Sequence, residues 1–153
     1  MGEMEHFKQF WNQRYANDMF LINNTFFKNL DIAIQLHYSS NNILVYNKIR
    51  LNALGLLLYN SVNACTIMYN LIQDSILGGL SIESWEKTPS HNVLHHNSFI
   101  DNGAIVSGFQ ARDYGYNNTW FDIIEEEGNY WSDYLGFGTY SIPGSACSVD
   151  LYP

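Results

Sequence analysis

The sequence has few charged residues, few prolines and cysteines, and no long apolar run. Charged residues make up 14% of its 153 residues, about half the share of a typical globular protein. No stretch reaches the roughly 18 apolar residues that a membrane-spanning helix needs, so we expect no membrane insertion within this chain. The two cysteines, Cys65 and Cys147, form neither a zinc-binding pattern nor a disulfide-rich scaffold.

Basic residues are scarce as well. Seven Lys and Arg stand against 15 Asp and Glu, for a net charge of -8. Nucleic acid is therefore excluded as a partner, because affinity for it depends on Lys and Arg facing phosphates. The first ten residues lack the basic start and apolar core of a secretory signal. We therefore expect a cytoplasmic protein or a fragment of a longer one.

Asparagine and aromatic residues are abundant instead. The chain has 18 Asn, together with 9 Phe, 11 Tyr and 4 Trp. Asn competes with the helix backbone for hydrogen bonds, and aromatic side chains lose rotamer freedom in a helix. This composition excludes a helical bundle or a coiled coil.

A repeat of about 23 residues organises the chain. The pattern [Leu/Ile]-x-x-Asn-x-[Ile/Phe] occurs four times, with Asn spacings of 23, 23 and 27 residues. Its asparagines are Asn24, Asn47, Asn70 and Asn97. A second column, five residues later, consists of Asn29, Asn52, Ser75 and Asn102. A third begins with a small residue, at Ala33, Gly55 and Gly79, with a degraded fourth copy at Gly103-Ala104-Ile105.

Three short apolar runs per repeat predict an all-β fold, a right-handed parallel β-helix with three strands in each coil of about 23 residues. We expect the first-column asparagines to bond to one another between coils, as a ladder, and to adopt the left-handed conformation at a corner. Gly55 and Gly79 are expected at a further bend. Inward residues should stack as a core column of Phe26, Ile49, Ile72 and Phe99.

The chain divides into three predicted parts. Residues 1–18 are interpreted as an N-terminal cap, formed by a short amphipathic helix, or as the remnant of a longer chain. Residues 19–111 form the coils. Residues 112–153 break the repeat and are rich in Trp, Tyr, Gly and Asp, which favours an irregular C-terminal capping segment, or lid.

The motifs of this last segment are the most distinctive ones. Gly115-Tyr116-Asn117-Asn118-Thr119-Trp120 and Gly128-Asn129-Tyr130-Trp131-Ser132-Asp133-Tyr134, with the Asn-cornered repeats, resemble the NosD-like family of β-helix proteins, especially archaeal surface and secreted members. The resemblance covers roughly residues 18–153. It implies a β-helix of the carbohydrate-binding and sugar-hydrolase type, located in the periplasm, outside the cell or on its surface. In the founding bacterial members it implies a copper-related accessory role in maturing nitrous oxide reductase.

No catalytic constellation is recognised. Glycoside hydrolysis needs two carboxylates that converge on the scissile bond. The acids inside the repeats fall in different columns: Asp31, Asp74, Glu83 and Asp101. A non-enzymatic protein is therefore expected, with a degenerate polysaccharide hydrolase or lyase as an alternative.

Two kinds of metal site are considered. Copper ligands are sought at His91 and His95, with Met68 one coil before His95. His95 and His96 are expected on opposite faces, because neighbouring residues of a strand alternate. The acidic stretch with Asp122, Glu125, Glu126 and Glu127 offers the hard oxygen ligands of calcium. Solvated surface groups are the alternative explanation for both.

A possible ligand surface is the column Tyr46, Tyr69 and His96, whose rings can form an aromatic strip for sugars. The leading hypothesis is thus a non-catalytic binding or structural module of the cell envelope that contacts glycans or envelope proteins and has no cofactor. The alternative is a periplasmic copper-related accessory protein.

Overall fold

The computed structural model describes residues 11–104 and 108–153, which form a parallel β-helix of about four coils, as predicted. The first sheet contains β1 (Trp11–Arg14), β4 (Ile32–His37), β7 (Leu54–Tyr59), β10 (Gly78–Glu83) and β13 (Phe109–Asp113). The second contains β2 (Phe20–Ile22), β5 (Ile43–Val45), β8 (Thr66–Met68) and β11 (Val93–His95). The third contains β3 (Thr25–Phe27), β6 (Lys48–Arg50), β9 (Leu71–Gln73), β12 (Ser98–Ile100) and β14 (Tyr130–Trp131). An antiparallel pair, β15 (Tyr140–Ser141) and β16 (Val149–Asp150), follows.

The core is a stack of equivalent inward residues from successive coils. Strand register places the predicted column of Phe26, Ile49, Ile72 and Phe99 in line, and all four are fully buried. The C-terminal lid extends this column with aromatic rings. Trp131 stacks on Phe99 at 4.4 Å between ring centroids, and Tyr140 stacks on Trp131 at 4.1 Å. The rings of the lid therefore close the apolar interior that the coils leave open.

Asparagine ladders run along the corners, and there are three of them in the described residues. In the predicted first ladder, Asn47 donates its backbone N–H and its side-chain Nδ2 to Oδ1 of Asn70, both at 2.9 Å. The first ladder extends beyond the repeats to Asn129. A further ladder was missed in the sequence and runs through Asn42, Cys65, Asn92 and Asn118.

The left-handed conformation belongs to the residue before each ladder asparagine, so the expectation for Asn24, Asn47, Asn70 and Asn97 themselves was wrong. Asn23, Tyr46, Tyr69 and His96 have φ of 56°, 57°, 55° and 56°. The physical reason is that two consecutive residues have different roles at the corner. The first residue bends the chain and points its side chain outward, which leaves the next side chain free to point inward and bond between coils.

Two predictions about small residues were also wrong. Gly55 and Gly79 lie inside β7 and β10, not at a bend. A Cβ at Gly55 would lie 2.4 Å from the carbonyl oxygen of Gly79, so close approach between coils requires glycine there. The fourth copy of this column is Gln110, because Gly78 pairs with Phe109 and Leu80 with Ala111. Gly103 and Ala104 instead form a turn, and Ile105 lies outside the described residues.

The predicted N-terminal helix is wrong for residues 11–14, which form β1 and pair with β4; residues 1–10 lie outside the described part. Alternating half-buried and exposed positions in β1 fit a strand, and Trp11 packs on the core. The boundaries at residues 18 and 111 stay predictions. Strand β13 crosses the second boundary, and bridges such as Val93 to Thr119 continue the coil pattern beyond it.

Candidate functional site

The corner between the second and third sheets carries a stack of rings on its outer side. Tyr46 and Tyr69 stack with ring centroids 5.3 Å apart and planes 23° apart. Tyr69 stacks in turn on His96 at 4.7 Å. Each of these residues occupies the left-handed corner position, which points its side chain away from the core. The sequence-predicted aromatic strip is therefore a continuous ring column, in which neighbouring rings cover each other's faces.

His95 and His96 lie together at the end of this column. Their Nδ1 atoms are 2.6 Å apart, so the expectation that the two side chains face opposite ways was wrong. The alternation rule fails because His96 is not a strand residue. Strand β11 ends at His95, and the positive φ of His96 turns its ring to the same outer side. Both side chains are about nine-tenths covered, at 12% and 11% exposure.

Three acids from the C-terminal segment face these histidines. Glu127 Oε2 lies 2.7 Å and Glu125 Oε2 3.4 Å from His96 Nε2, and Asp122 Oδ2 lies 3.8 Å from His95 Nδ1. The ligand atoms of His96, Glu125 and Glu127 all lie within 4.8 Å of one another. We call these five residues the histidine–acid cluster.

A tight turn holds the acids in place. Asp122 and Glu127 form an antiparallel bridge. Asp122 Oδ1 accepts the backbone N–H groups of Ile124 at 2.8 Å and Glu125 at 3.2 Å. These hydrogen bonds, from Glu125 first and Ile124 second, lower the pKa of Asp122. The carboxylate form of Asp122 is thus favoured by the turn that it organises.

The imidazole of His95 is held in its neutral form. Burial lowers the pKa of His95, and the neighbouring His96 lowers it further, against the opposite effect of Asp122 and Glu125. A neutral imidazole is the form that binds metal ions. The contact between the two Nδ1 atoms also requires one nitrogen to donate and the other to accept.

The predicted metal ligands are only partly brought together. Met68 is half-buried and lies directly across from His95 in the neighbouring strand. His91 is exposed at a different corner, where its ring contacts that of Tyr116 at 6.2 Å. Glu126 belongs to the acidic turn but not to the cluster of ligand atoms. The acids that reach His96 follow it by about 30 residues, outside the repeat, so periodicity carried no signal for them.

Acids considered for catalysis lie on different parts of the coil. Glu83 accepts hydrogen bonds from Arg112 and Ser81 on the first sheet. Asp101 accepts one from the Ser132 hydroxyl, 3.2 Å away, beside the third sheet. Glu83 and Asp101 thus each have a local partner and do not form a pair.

Residues 10–136 match the family model described as periplasmic copper-binding protein (NosD). The chain belongs to the NosD family. This match confirms the resemblance drawn from the repeats and from the Trp-rich motifs. The periplasmic description of the NosD family supports a periplasmic or extracellular location and is consistent with a copper-related accessory role.

Comparison with curated proteins and with solved structures finds no significant match. In the ranges 11–104 and 108–153, no helix has the length and apolar character needed to cross a membrane.

Proposed function

We propose that this NosD-family chain is a non-catalytic metal-binding module of the periplasm or cell surface, and that it holds Cu²⁺ at the histidine–acid cluster. The observation that carries the proposal is the convergence of ligand atoms from His96, Glu125 and Glu127 within 4.8 Å. Two separate parts of the chain supply them, a coil corner and the turn of residues 122–127. Ligand identity and short distances between ligand atoms are among the criteria for a metal site, and this group meets both.

The donor set favours the divalent ion. Imidazole nitrogen and carboxylate oxygen suit Cu²⁺, whereas Cu⁺ prefers thiolate and thioether sulfur. The cluster itself contains nitrogen and oxygen donors only, with Met68 one strand away from His95. Calcium is less well matched, because it takes six to eight oxygen ligands and His96 lies at the centre of this group. When bound, the ion supplies positive charge that offsets the crowded carboxylates.

The second histidine of the cluster favours the protonation state that a metal ligand requires. Burial and the neighbouring His96 lower the pKa of His95, which favours its neutral imidazole. Glu125 and Glu127 are exposed, so an ion can reach them from solvent. Metal binding should nevertheless weaken in acid, because protons compete for the same atoms.

Copper titration of paired histidine variants tests the proposal. His96→Asn removes a ligand but keeps a residue that accepts the corner conformation, as Asn23 does at the equivalent position. His91→Asn is the matched control, since His91 also has φ of 56° and lies outside the cluster. We expect His96→Asn to weaken Cu²⁺ binding by about tenfold or more, and His91→Asn to leave it unchanged.

The measurement combines calorimetric titration with electron paramagnetic resonance of the bound Cu²⁺. The spectrum should show imidazole nitrogen coupling that diminishes in His96→Asn. Equal affinity in the wild-type chain and both variants, or loss of binding only in His91→Asn, would contradict the proposed site. A Glu127→Gln variant tests the acid side, and we expect it to weaken binding without changing the fold.

A further inference from the structure

The ring column at the corner begins at Tyr46, and one face of this ring is uncovered. Tyr69 lies between Tyr46 and His96, so both of its faces are covered. Within residues 11–104 and 108–153, Tyr46 has a ring neighbour on one side only. Its exposure is accordingly 56%, against 40% for Tyr69. The free face of Tyr46 points towards the preceding coil, where the same corner position holds no ring.

An open pocket of about 580 Å³ runs along this corner and includes the place of the missing ring. The equivalent position in the preceding coil is Asn23, which has the same left-handed backbone as Tyr46. The pocket is lined by Ile22, Asn23, Tyr46, Asn47, Lys48, Tyr69 and Leu71. It thus combines the rings of Tyr46 and Tyr69 with apolar walls and a small number of polar groups, which is the composition of a ligand site.

Two polar side chains of this pocket have no polar partner in the part of the chain that the structure describes. The Asn23 amide makes no hydrogen bond there, and no carboxylate lies within 4 Å of the Lys48 ammonium. Lys48 and Arg50 lie on the outward face of β6, two residues apart. The Nε atom of Arg50 is buried and makes no hydrogen bond in the described structure. The third sheet therefore presents one cation, Lys48, at the pocket and a second, Arg50, two residues further along β6, in a chain of net charge -8.

We propose that this pocket binds a six-membered saccharide ring that carries a carboxylate, that is, a hexuronate within an oligosaccharide. The C–H face of the sugar stacks on Tyr46 and continues the ring column by one step. The carboxylate of the sugar lies against Lys48, and a hydroxyl bonds to the amide of Asn23. A neutral sugar would use the ring but leave Lys48 unpaired, which is why the acidic ring is the better match.

Binding of a hexuronate trisaccharide, measured by calorimetry and by saturation-transfer NMR, tests this site. The matched ligand is the same trisaccharide with each carboxylate reduced to a hydroxymethyl group. We expect the acidic trisaccharide to bind more tightly and its affinity to fall as salt is added. Tyr46→Asn and Lys48→Gln should each weaken it by about fivefold to tenfold. Equal affinity for both ligands, or for both variants and the wild type, would overturn the proposal.

Filling the pocket gives a second, independent readout. Asn23→Tyr adds the missing ring at a corner that accepts tyrosine at positions 46 and 69. This variant should abolish saccharide binding while the chain stays folded. Asn41→Tyr is the matched control, because Asn41 is exposed with φ of 57° in another column. Retained binding in Asn23→Tyr would show that the sugar lies elsewhere.

The saccharide site does not depend on the copper proposal, and the two can be separated. All saccharide titrations are done with a chelator present. His96→Asn should keep its saccharide affinity, because His96 does not line the pocket and lies two coils away from Tyr46, at the other end of the column. Loss of saccharide binding in His96→Asn would argue against an end-on site at Tyr46.

Discussion

The repeating coils and the C-terminal segment use different side chains to accept hydrogen bonds from equivalent backbone N–H groups. Within the coils, an asparagine accepts through Oδ1 and donates through Nδ2, so each one passes the ladder on to the next coil. Asn97 donates to Asn129 in this way at 3.0 Å. At the end of the first ladder, Asn129 donates to a buried carboxylate, Asp150, through its backbone N–H at 2.7 Å and through Nδ2 at 3.2 Å.

The other two ladders also end on groups of the C-terminal half. Asn118 donates Nδ2 to Oδ1 of the fully buried Asp113 at 3.0 Å. The remaining ladder passes from Asn102 to Gln110, whose Nε2 donates to the Ser132 hydroxyl at 2.8 Å. Asp150 and Asp113 each accept a tryptophan Nε1–H as well, at 3.0 Å.

The comparison shows why the acids gather near the end of the solenoid. The ladders all donate towards the C-terminus, and two of the three end directly on an acceptor that has nothing left to donate. A carboxylate has only acceptor atoms, whereas another amide would leave two N–H groups without partners. The same segment supplies the acids of the histidine–acid cluster, where an acceptor-rich turn meets imidazoles from a coil.

The largest loss of stability is expected when a carboxylate is placed inside a ladder. In Asn70→Asp, an oxygen would replace the Nδ2 that donates to Leu44 O, Met68 O and Asn97 Oδ1. We expect a loss of about 4 kcal/mol in the free energy of unfolding at neutral pH, because a buried charge would face three oxygens. The loss should be smaller in acid, where the protonated group can donate one hydrogen bond.

Urea unfolding measures this loss, with Asn23→Asp as the control. Asn23 is exposed and its side chain makes no hydrogen bond within the described residues, so this substitution should change the free energy of unfolding little. Similar losses in the two variants would mean that the ladder does not depend on amide donors.

Copper should strengthen the junction of the two regions. If Cu²⁺ joins the coil corner to the acidic turn, free ion at roughly a hundred times Kd should raise the free energy of unfolding by about 2.7 kcal/mol. Thermal unfolding with and without Cu²⁺ measures the gain. His96→Asn should lose most of it and His91→Asn should keep it. An equal gain in both variants would place the ion outside the cluster.

The converse substitution places an amide, which both accepts and donates hydrogen bonds, at the end of a ladder. Asp150→Asn keeps the size of the side chain but turns one acceptor into a donor among the groups of Asn129 and Trp131. We expect a loss of about 2 kcal/mol, since at least one buried donor is left without a partner. Asp31→Asn, at an exposed site, is the control for loss of charge in urea unfolding. An unchanged free energy of unfolding in Asp150→Asn would show that a terminal carboxylate is unnecessary.

The smallest effect is expected where a ladder is already incomplete. Ser75 stands in an asparagine column, and its buried Oγ has no hydrogen-bond partner in the described structure. Ser75→Asn should supply Oδ1 to Asn52 and raise the free energy of unfolding by about 1 kcal/mol. Chemical denaturation of this variant, with Ser75→Ala for reference, measures the change. A loss of stability would mean that the coil has no space for the amide.

Much of the fold could be predicted because each inward contact recurs at equivalent positions of several repeats. The spacing of Asn24 and Asn47, and of Phe26 and Ile49, identified the first ladder and the core column. The ladder through Asn42 and Asn92 was missed because Cys65 interrupts it. The corner conformation was assigned one residue too late, since sequence columns do not distinguish the residue that turns the chain from the one that bonds inward.

The sequence by itself determined that this chain is a β-helix held together by asparagine, because periodic patterns specify contacts between equivalent positions. Only the tertiary structure decided which unrelated side chains meet. The approach of His95 and His96 depends on a positive φ, and their acids arrive from a turn outside the repeat. The pocket beside Tyr46 exists because one coil has Asn23 where the next has a ring. Such juxtapositions have no period, so only the folded chain brings them together.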